Sequence, residues 1–344
     1  MRALVINAHG GLERLEYRTD VPEPELRLTT DVRVRVRAAA LNHLDLFVIS
    51  GLPGVAITPH WVMGADATGE VESVGSAVRD VAPGDRVIIN PGISDRSCEY
   101  CLAGEQSLCV RFGILGEHHP GTLAEYVVVP AANVRRIPPE ITDISAAAFT
   151  LATITAWRMV VTRARVRSGE QVLIQGIGGG VALAALHICK SLGASVWVTS
   201  RSDEKLARAR ALGADEAINS TAVDVGREVR RLNNRRGVDV VIDSVGQATW
   251  AQSLGALARG GRLVTCGATS GPMVETDARR LFWNQWTILG STMGNDAEFD
   301  AIAAELSAGR LFPEIDRVFE LEEARRAFER LQDGSQFGKI VVTI

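Results

Sequence analysis

Gln171-Val-Leu-Ile-Gln-Gly-Ile-Gly-Gly-Gly-Val-Ala-Leu-Ala184 runs from an apolar stretch through four glycines into a second apolar stretch. The first part reads as a buried strand and the second as a helix, Val181 to Leu192. Gly176, Gly178, Gly179 and Gly180 let the backbone turn tightly and approach a pyrophosphate, toward which the helix directs its free N–H groups and the positive end of its dipole. Glycines alone also mark bulges and plain turns. Here Gly193 follows the helix, and Ser195-Val-Trp-Val-Thr-Ser200 supplies a second strand. That completes a βαβ unit and favours a dinucleotide site.

The end of that second strand distinguishes the two nicotinamide dinucleotides. An NAD-specific site commonly has Asp or Glu there, accepting hydrogen bonds from the ribose. This chain has Ser200-Arg201-Ser202, with Lys205 a turn later. A hydroxyl, a planar guanidinium and an ammonium suit a 2′-phosphate, so NADP(H) is expected in preference to NAD(H). The alternative is a solvated Arg201 beside a helix cap, with Asp203 or Glu204 reaching the ribose.

The chain has 344 residues, is 46% hydrophobic and carries a net charge of -4, more chain than one core usually holds. Met1-Arg-Ala-Leu-Val-Ile reads as a first strand and lacks the pattern of a signal peptide. The longest apolar stretch, 144–161, is too short for a membrane span and is interrupted by Arg158. A cytoplasmic protein without membrane contact is expected. Five cysteines, three of them clustered, point to a metal or to free thiols rather than to a disulfide framework. Arg33, Arg35 and Arg37 alternate with valines on one strand face. Arg230, Arg231, Arg235 and Arg236 surround a helix end. Solvated faces account for both clusters, and with no aromatic ladder in an acidic chain a nucleic-acid partner is not expected.

Residues 1–150 show short strands between turn signals. Val32-Arg-Val-Arg-Val-Arg-Ala alternates strictly, and Gly69-Glu-Val-Glu-Ser-Val-Gly and Pro83-Gly-Asp-Arg-Val-Ile-Ile are bounded by glycine turns. A β-barrel-like domain follows from that pattern. Over 151–290, strands are expected at 172–175, 196–200, 238–243, 262–266 and 287–290. With their crossovers they make a doubly wound parallel sheet. In the remainder, 291–344, a charged amphipathic helix near 321–332 and a strand at 339–344 are expected to return to the first domain.

This order of domains resembles the medium-chain dehydrogenase/reductase superfamily, which holds zinc alcohol dehydrogenases and zinc-free quinone or enone reductases. The matching motifs are Gly64-Ala-Asp-Ala-Thr-Gly-Glu-Val, Pro83-Gly-Asp-Arg-Val, Gly121-Thr-Leu-Ala-Glu-Tyr-Val, Thr155-Ala-Trp, Leu212-Gly-Ala-Asp and Phe337-Gly-Lys-Ile-Val. The resemblance spans essentially the whole chain. It implies a GroES-like catalytic domain, a Rossmann cofactor domain and a homodimer or homotetramer assembled through the latter. It also implies that Thr155 and Val181 pack near the nicotinamide, that Cys266-Gly267 and Leu289-Gly290 hold its carboxamide, and that Lys339 reaches the pyrophosphate. Each of these residues also suits an ordinary core or cap position, and Cys266 reads better as a small apolar filler than as a nucleophile.

The alcohol dehydrogenase branch holds its catalytic zinc with Cys, His and Cys. By the resemblance those positions are Asn42, Ala65 and Leu151, and the position of the proton-relaying hydroxyl is Leu44. All three ligands are missing, whereas acids of the outer shell persist as Asp45 and Asp66. Outer-shell groups orient ligands and do not replace them, so no catalytic zinc is expected. Asp95-x2-Cys98-x2-Cys101-x7-Cys109 has the spacing of that branch's structural zinc loop, with Asp for the first cysteine. A carboxylate is an acceptable zinc ligand, so a structural zinc is expected, the alternative being a relic loop of free thiols.

Without a Lewis acid, an enone or quinone is the easier carbonyl substrate, because its conjugation carries the incoming charge to an oxygen that one or two donors stabilise. Asn42 is the candidate donor. His43 is equally a candidate proton donor and a pyrophosphate contact. The leading expectation is therefore an NADPH-dependent reductase of quinones or other α,β-unsaturated carbonyls. Alternatives are an alcohol dehydrogenase with an unusual metal set drawing on Asp45 and Asp66, and a non-catalytic NADPH-binding protein.

Overall fold

In the computed structural model, which describes residues Met1–Ile344, the glycine-rich stretch joins a strand to a helix inside a six-stranded sheet. The strands are β1 (Gln171–Ile174), β2 (Ser195–Ser200), β3 (Glu216–Asn219), β4 (Val238–Asp243), β5 (Leu257–Thr265) and β6 (Thr287–Gly290). All neighbours are parallel, in the spatial order β3-β2-β1-β4-β5-β6. Parallel strands are covered on both faces, which is why Val172, Leu173 and Ile174 form an unbroken apolar run, all fully buried. The helix α1 (Gly180–Ser191) closes one face with Ala182, Leu183, Ala185, Leu186 and Ile188. Leu173, Trp197, Val229, Val241, Leu254 and Leu263 belong to one core cluster. Strand order reverses between β1 and β4, so the crossovers from β1 to β2 and from β2 to β3 run one way along the sheet and the later ones the other. A crevice at the carboxyl ends of such strands is the general ligand position of open α/β sheets.

This unit comprises Ala152–Met293, and the second comprises Met1–Leu151 with Gly294–Ile344. In the second, the strand Asp31–Ala40 pairs antiparallel with Asp66–Val74, Tyr126–Pro130 and Lys339–Thr343. Val32, Val34 and Val36 are buried while Arg35 and Arg37 are exposed, the alternation expected of a strand with one solvated face. Arg33 pairs with Glu72 at 2.9 Å and with Glu23, and Arg37 with Glu70 at 3.1 Å. The strand Ile315–Glu320, the helix Ala324–Gln332 and the strand Lys339–Thr343 form a parallel βαβ unit, and Phe319, Phe328, Leu331, Ile340 and Val342 enter the same core as Leu4, Ile6 and Leu41. The chain thus has a GroES-like N-terminal domain and a Rossmann-type domain. No helix is long and apolar enough to cross a membrane.

Candidate active site, cofactor turn and metal loop

The register of three strands builds the first site. Ala40 pairs with both Asp66 and Val341, which brings Asn42, Asp66 and Lys339 to one end of the sheet. Asp66 is fully buried, with four donors on its carboxylate. Oδ1 accepts from the Thr150 hydroxyl at 2.6 Å and the Leu151 N–H at 2.7 Å. Oδ2 accepts from Lys339 Nζ at 2.9 Å and Asn42 Nδ2 at 3.0 Å. Lys339, itself 4% exposed, also donates to Asn42 Oδ1 at 2.5 Å. A buried ion pair with further hydrogen bonds to both partners meets the desolvation requirement for charges in a core.

Two of the expected site residues have partners within the chain. Lys339, which the resemblance places at the cofactor pyrophosphate, donates its ammonium to Asp66 and Asn42 in this chain. Asn42 was expected to offer an amide N–H to substrate, but Nδ2 donates to Asp66 and lies 3.4 Å from the Ala40 carbonyl, while Oδ1 accepts from Lys339.

Asp45, also buried, caps the helix His43–Ser50 by accepting the Asn42 backbone N–H at 2.7 Å. Burial pushes its carboxyl up to about 7, against the opposing effects of that hydrogen bond and of Lys339. Asp45 and Asp66 are thus committed to a cap and an ion pair, and Asn42, Ala65 and Leu151 supply neither thiolate nor imidazole. These residues do not fit a catalytic zinc. His43 is exposed and its ring nitrogens have no partner within the chain. Partial desolvation, and secondarily Lys339, lower its imidazole pKa, so the neutral ring is favoured.

The cofactor turn lies in the other unit. Gly176 and Gly178 take φ of +69° and +121°, a region that side chains with a Cβ disfavour, and Gly179 is the N-cap of α1. The first N–H groups of α1 have no intrahelical acceptor and are free for an anion, with Val181 partly exposed in this first turn. At the end of β2, the Ser200 hydroxyl accepts the Ser202 N–H at 3.2 Å and Arg201 is exposed. Lys205 lies in the first turn of the next helix, whose N-cap Ser202 accepts its N–H. Asp203, the alternative ribose ligand, accepts from Asn219 at 2.7 Å. Thr155 is buried with its hydroxyl 3.7 Å from the Met293 sulfur. Cys266 and Gly267 follow β5. The Cys266 thiol is pushed up to about 12, mainly by burial, which removes the thiolate a nucleophile needs. Leu289 and Gly290 end β6, where the Gly290 carbonyl accepts from Arg163 at 2.8 Å.

The metal loop gathers Asp95, Cys98, Cys101 and Cys109, whose donor atoms all lie within 4.8 Å of one another. A tetrahedron with zinc–sulfur bonds of about 2.3 Å has edges of about 3.8 Å, a contraction that side-chain rotation can supply. The loop backbone favours the anionic donors. Asp95 Oδ1 accepts from Ser97 and Cys98 N–H at 2.9 and 3.0 Å, and Cys109 Sγ accepts from Asp95 and Arg111 N–H, both at 3.3 Å. The first two contacts hold the Asp95 carboxyl far below the usual range. Hydrogen bonding, chiefly from the Cys101 backbone, lowers the Cys98 thiol, whereas burial raises Cys101 to about 11. The four residues can chelate a metal.

Sequence reasoning missed Thr150, which touches Asp66, and Thr199 and Asp243, which lie beneath the cofactor turn. For Lys339 a signal existed: a lysine inside an otherwise apolar strand needs a buried partner. The partner's identity depended on strand register.

Two family models match the chain, one described as "Zinc-binding dehydrogenase" over residues 180–308 and one as "Alcohol dehydrogenase GroES-like domain" over residues 29–139. An NAD-dependent alcohol dehydrogenase of Sulfolobus acidocaldarius is 31% identical, the match covering 100% of both chains. A quinone oxidoreductase of Pseudomonas aeruginosa is 34% identical over 97% of both. A solved structure of an NAD-dependent alcohol dehydrogenase superposes with a TM-score of 0.94 at 44% identity, covering 100% of both chains.

Proposed function

Given that the chain belongs to the medium-chain dehydrogenase/reductase superfamily, in the branch of zinc alcohol dehydrogenases and quinone oxidoreductases, we propose that it is an NADPH-dependent reductase of quinones or other α,β-unsaturated carbonyls that works without a catalytic zinc. The observation that carries this reading is the closed cluster of Asn42, Asp66 and Lys339 beside the zinc-ligand positions. With no inner-shell metal ligand at Asn42, Ala65 or Leu151, an alcohol has no metal to stabilise its alkoxide, while an enone spreads the added charge along its own conjugation. The bound dinucleotide supplies the hydride. Gly178, Gly179 and the first turn of α1 bind its pyrophosphate, and Arg201 with Lys205 binds the 2′-phosphate. His43 gives a hydrogen bond to the substrate oxygen, and the enolate takes its proton from water, directly or relayed through the neutral His43 ring. Asp95, Cys98, Cys101 and Cys109 hold a structural zinc that braces their loop. The protein acts in the cytoplasm as a homodimer or homotetramer through the Rossmann unit, whose edge strand β6 follows the helix Ala278–Asn284, where Phe282 and Trp283 are exposed.

The relatives' names lean toward the second reading, an alcohol dehydrogenase, and the two alcohol dehydrogenases are named as NAD-dependent. One assay series separates the readings. NADPH oxidation with a quinone or enone should persist in strong chelator, NADP-dependent alcohol oxidation should be negligible, and Arg201→Ala should narrow the preference for NADPH over NADH. Chelator-sensitive alcohol oxidation establishes the second reading. Tight NADPH binding without turnover of any carbonyl or alcohol establishes a non-catalytic role.

A further inference from the structure

Under the glycine turn runs a file of buried polar groups that ends on an anion. The Gly176 N–H donates to Thr199 Oγ1 at 3.1 Å, and the Thr199 hydroxyl donates to Gln175 Oε1 at 2.6 Å. Gln175 Nε2 donates to Ser253 Oγ at 2.9 Å, and the Ser253 hydroxyl to Asp243 Oδ2 at 2.7 Å. Thr199, Gln175, Ser253 and Asp243 are each no more than 2% exposed. Every link donates in the same direction, toward the Asp243 carboxylate, so each bond polarises the next. Asp243 also accepts the Val245 and Gly246 N–H groups at 2.8 and 3.1 Å. That places Val245 against the turn: a Cβ on Gly176 would lie 3.0 Å from Val245 Cγ2.

Thr199 holds the turn twice, since its carbonyl also accepts the Ile177 N–H at 2.7 Å. It directly precedes Ser200 and Arg201. The same residue therefore connects the strand end read as the adenosine-ribose site to the turn read as the pyrophosphate site. We propose that Thr199 is a positioning residue for the dinucleotide, holding Gly176 in its left-handed conformation through the file that ends on Asp243. This rests on the cofactor reading above. Without the Thr199 hydroxyl, the Gly176 N–H and the buried Gln175 Oε1 lose their partners, and the turn must rearrange to satisfy them. Binding then has to reorder the turn, a cost the native protein has already met in folding.

The test is calorimetric titration of the full-length protein with NADPH, NADH and 2′-AMP, which has the adenosine and 2′-phosphate but no pyrophosphate. Thr199→Val should weaken NADPH and NADH alike, by about fivefold to tenfold, and leave 2′-AMP within about twofold. Thr199→Ser, which keeps the hydroxyl, should restore binding. Ser253→Ala, remote from any ligand, should weaken the two dinucleotides in the same direction by less, and it carries the test should Thr199→Val not fold. Lower thermal stability with unchanged dinucleotide affinity in the folded variants overturns the proposal, as does equal weakening of 2′-AMP. Absence of NADPH and NADH binding to the unmodified protein overturns the cofactor reading itself.

Discussion

At the scale of single residues, the Lys339–Asp66 pair determines what the candidate active site can hold. Replacing Lys339 leaves a fully buried carboxylate without its counter-charge, and breaking such a pair from one side costs about 3–5 kcal/mol. Lys339→Met should therefore lower the unfolding free energy by about that amount, and adding Asp66→Asn should recover much of it. Urea denaturation of the two single variants and the double variant measures the coupling. Strictly additive losses would contradict it.

Asp45 makes a separate prediction, of opposite pH sense to an ordinary carboxylate. Its carboxyl titrates near 7 when folded, against about 3.9 when unfolded. Between those values the folded protein keeps a proton that the unfolded chain has lost, so this group's contribution to stability is complete below pH 4 and falls away as pH rises through 7. Asp45→Asn has no such proton, so between pH 5 and pH 8 it should gain stability relative to the parent, by at most about 3 kcal/mol, since only the interval from about pH 5 to 7 contributes. Urea midpoints at the two pH values check the sign. A constant difference between parent and variant would refute it. Neither prediction was legible in the sequence: Asp45 and Asp66 were visible as acids near a lost metal site, but their partners depend on burial and on a strand hundreds of residues away.

At the scale of elements, legibility followed periodicity. The strand beginning near Val32 was readable because a half-buried antiparallel strand alternates, and β1, β2 and β4 were readable because strands covered on both faces are continuously apolar. The short edge strand β3 was missed: of Glu216–Asn219 only Ile218 is buried, which leaves no pattern to detect. The expected strand at 262–266 actually begins at Leu257, because Val238 pairs with Leu257 before the register shifts at Val240. The cluster of Asp95, Cys98, Cys101 and Cys109 was readable from its spacing taken together with the family resemblance. Between Asp95 and Cys109 the loop has only short helical turns at Glu99–Leu102 and Gln106–Leu108, and Leu102 and Leu108 are exposed. Such a loop has little core of its own, so under the proposed structural zinc its order depends on the four ligands. Removing bound zinc with a chelator should lower the melting temperature by several degrees, about 2–4 °C for each kcal/mol lost, while changing the hydride-transfer rate at 25 °C by less than about twofold. Thermal scans paired with elemental analysis and single-turnover kinetics check this. A rate that disappears with the metal would refute it.

At the scale of the whole molecule, the chain leaves one unit at Leu151, builds the next from Ala152–Met293, and returns at Gly294. The change from short alternating strands to strands joined by helices was visible near this point, and so was the return of the last strand. The register was not visible, and it is the register that brings Asn42, Asp66 and Lys339 together. Time of synthesis follows from this route. Lys339 lies 273 residues after the carboxylate it neutralises. At about 5–20 residues per second, a ribosome needs about 14–55 s to supply it. During that interval the Asp31–Ala40 strand lacks the neighbour that will pair with Ala38–Ala40, and Asp66 must stay hydrated. The first domain to emerge is therefore the last to close, and the nascent chain carries an open strand edge, a natural client surface for chaperones, until the C-terminal strand arrives.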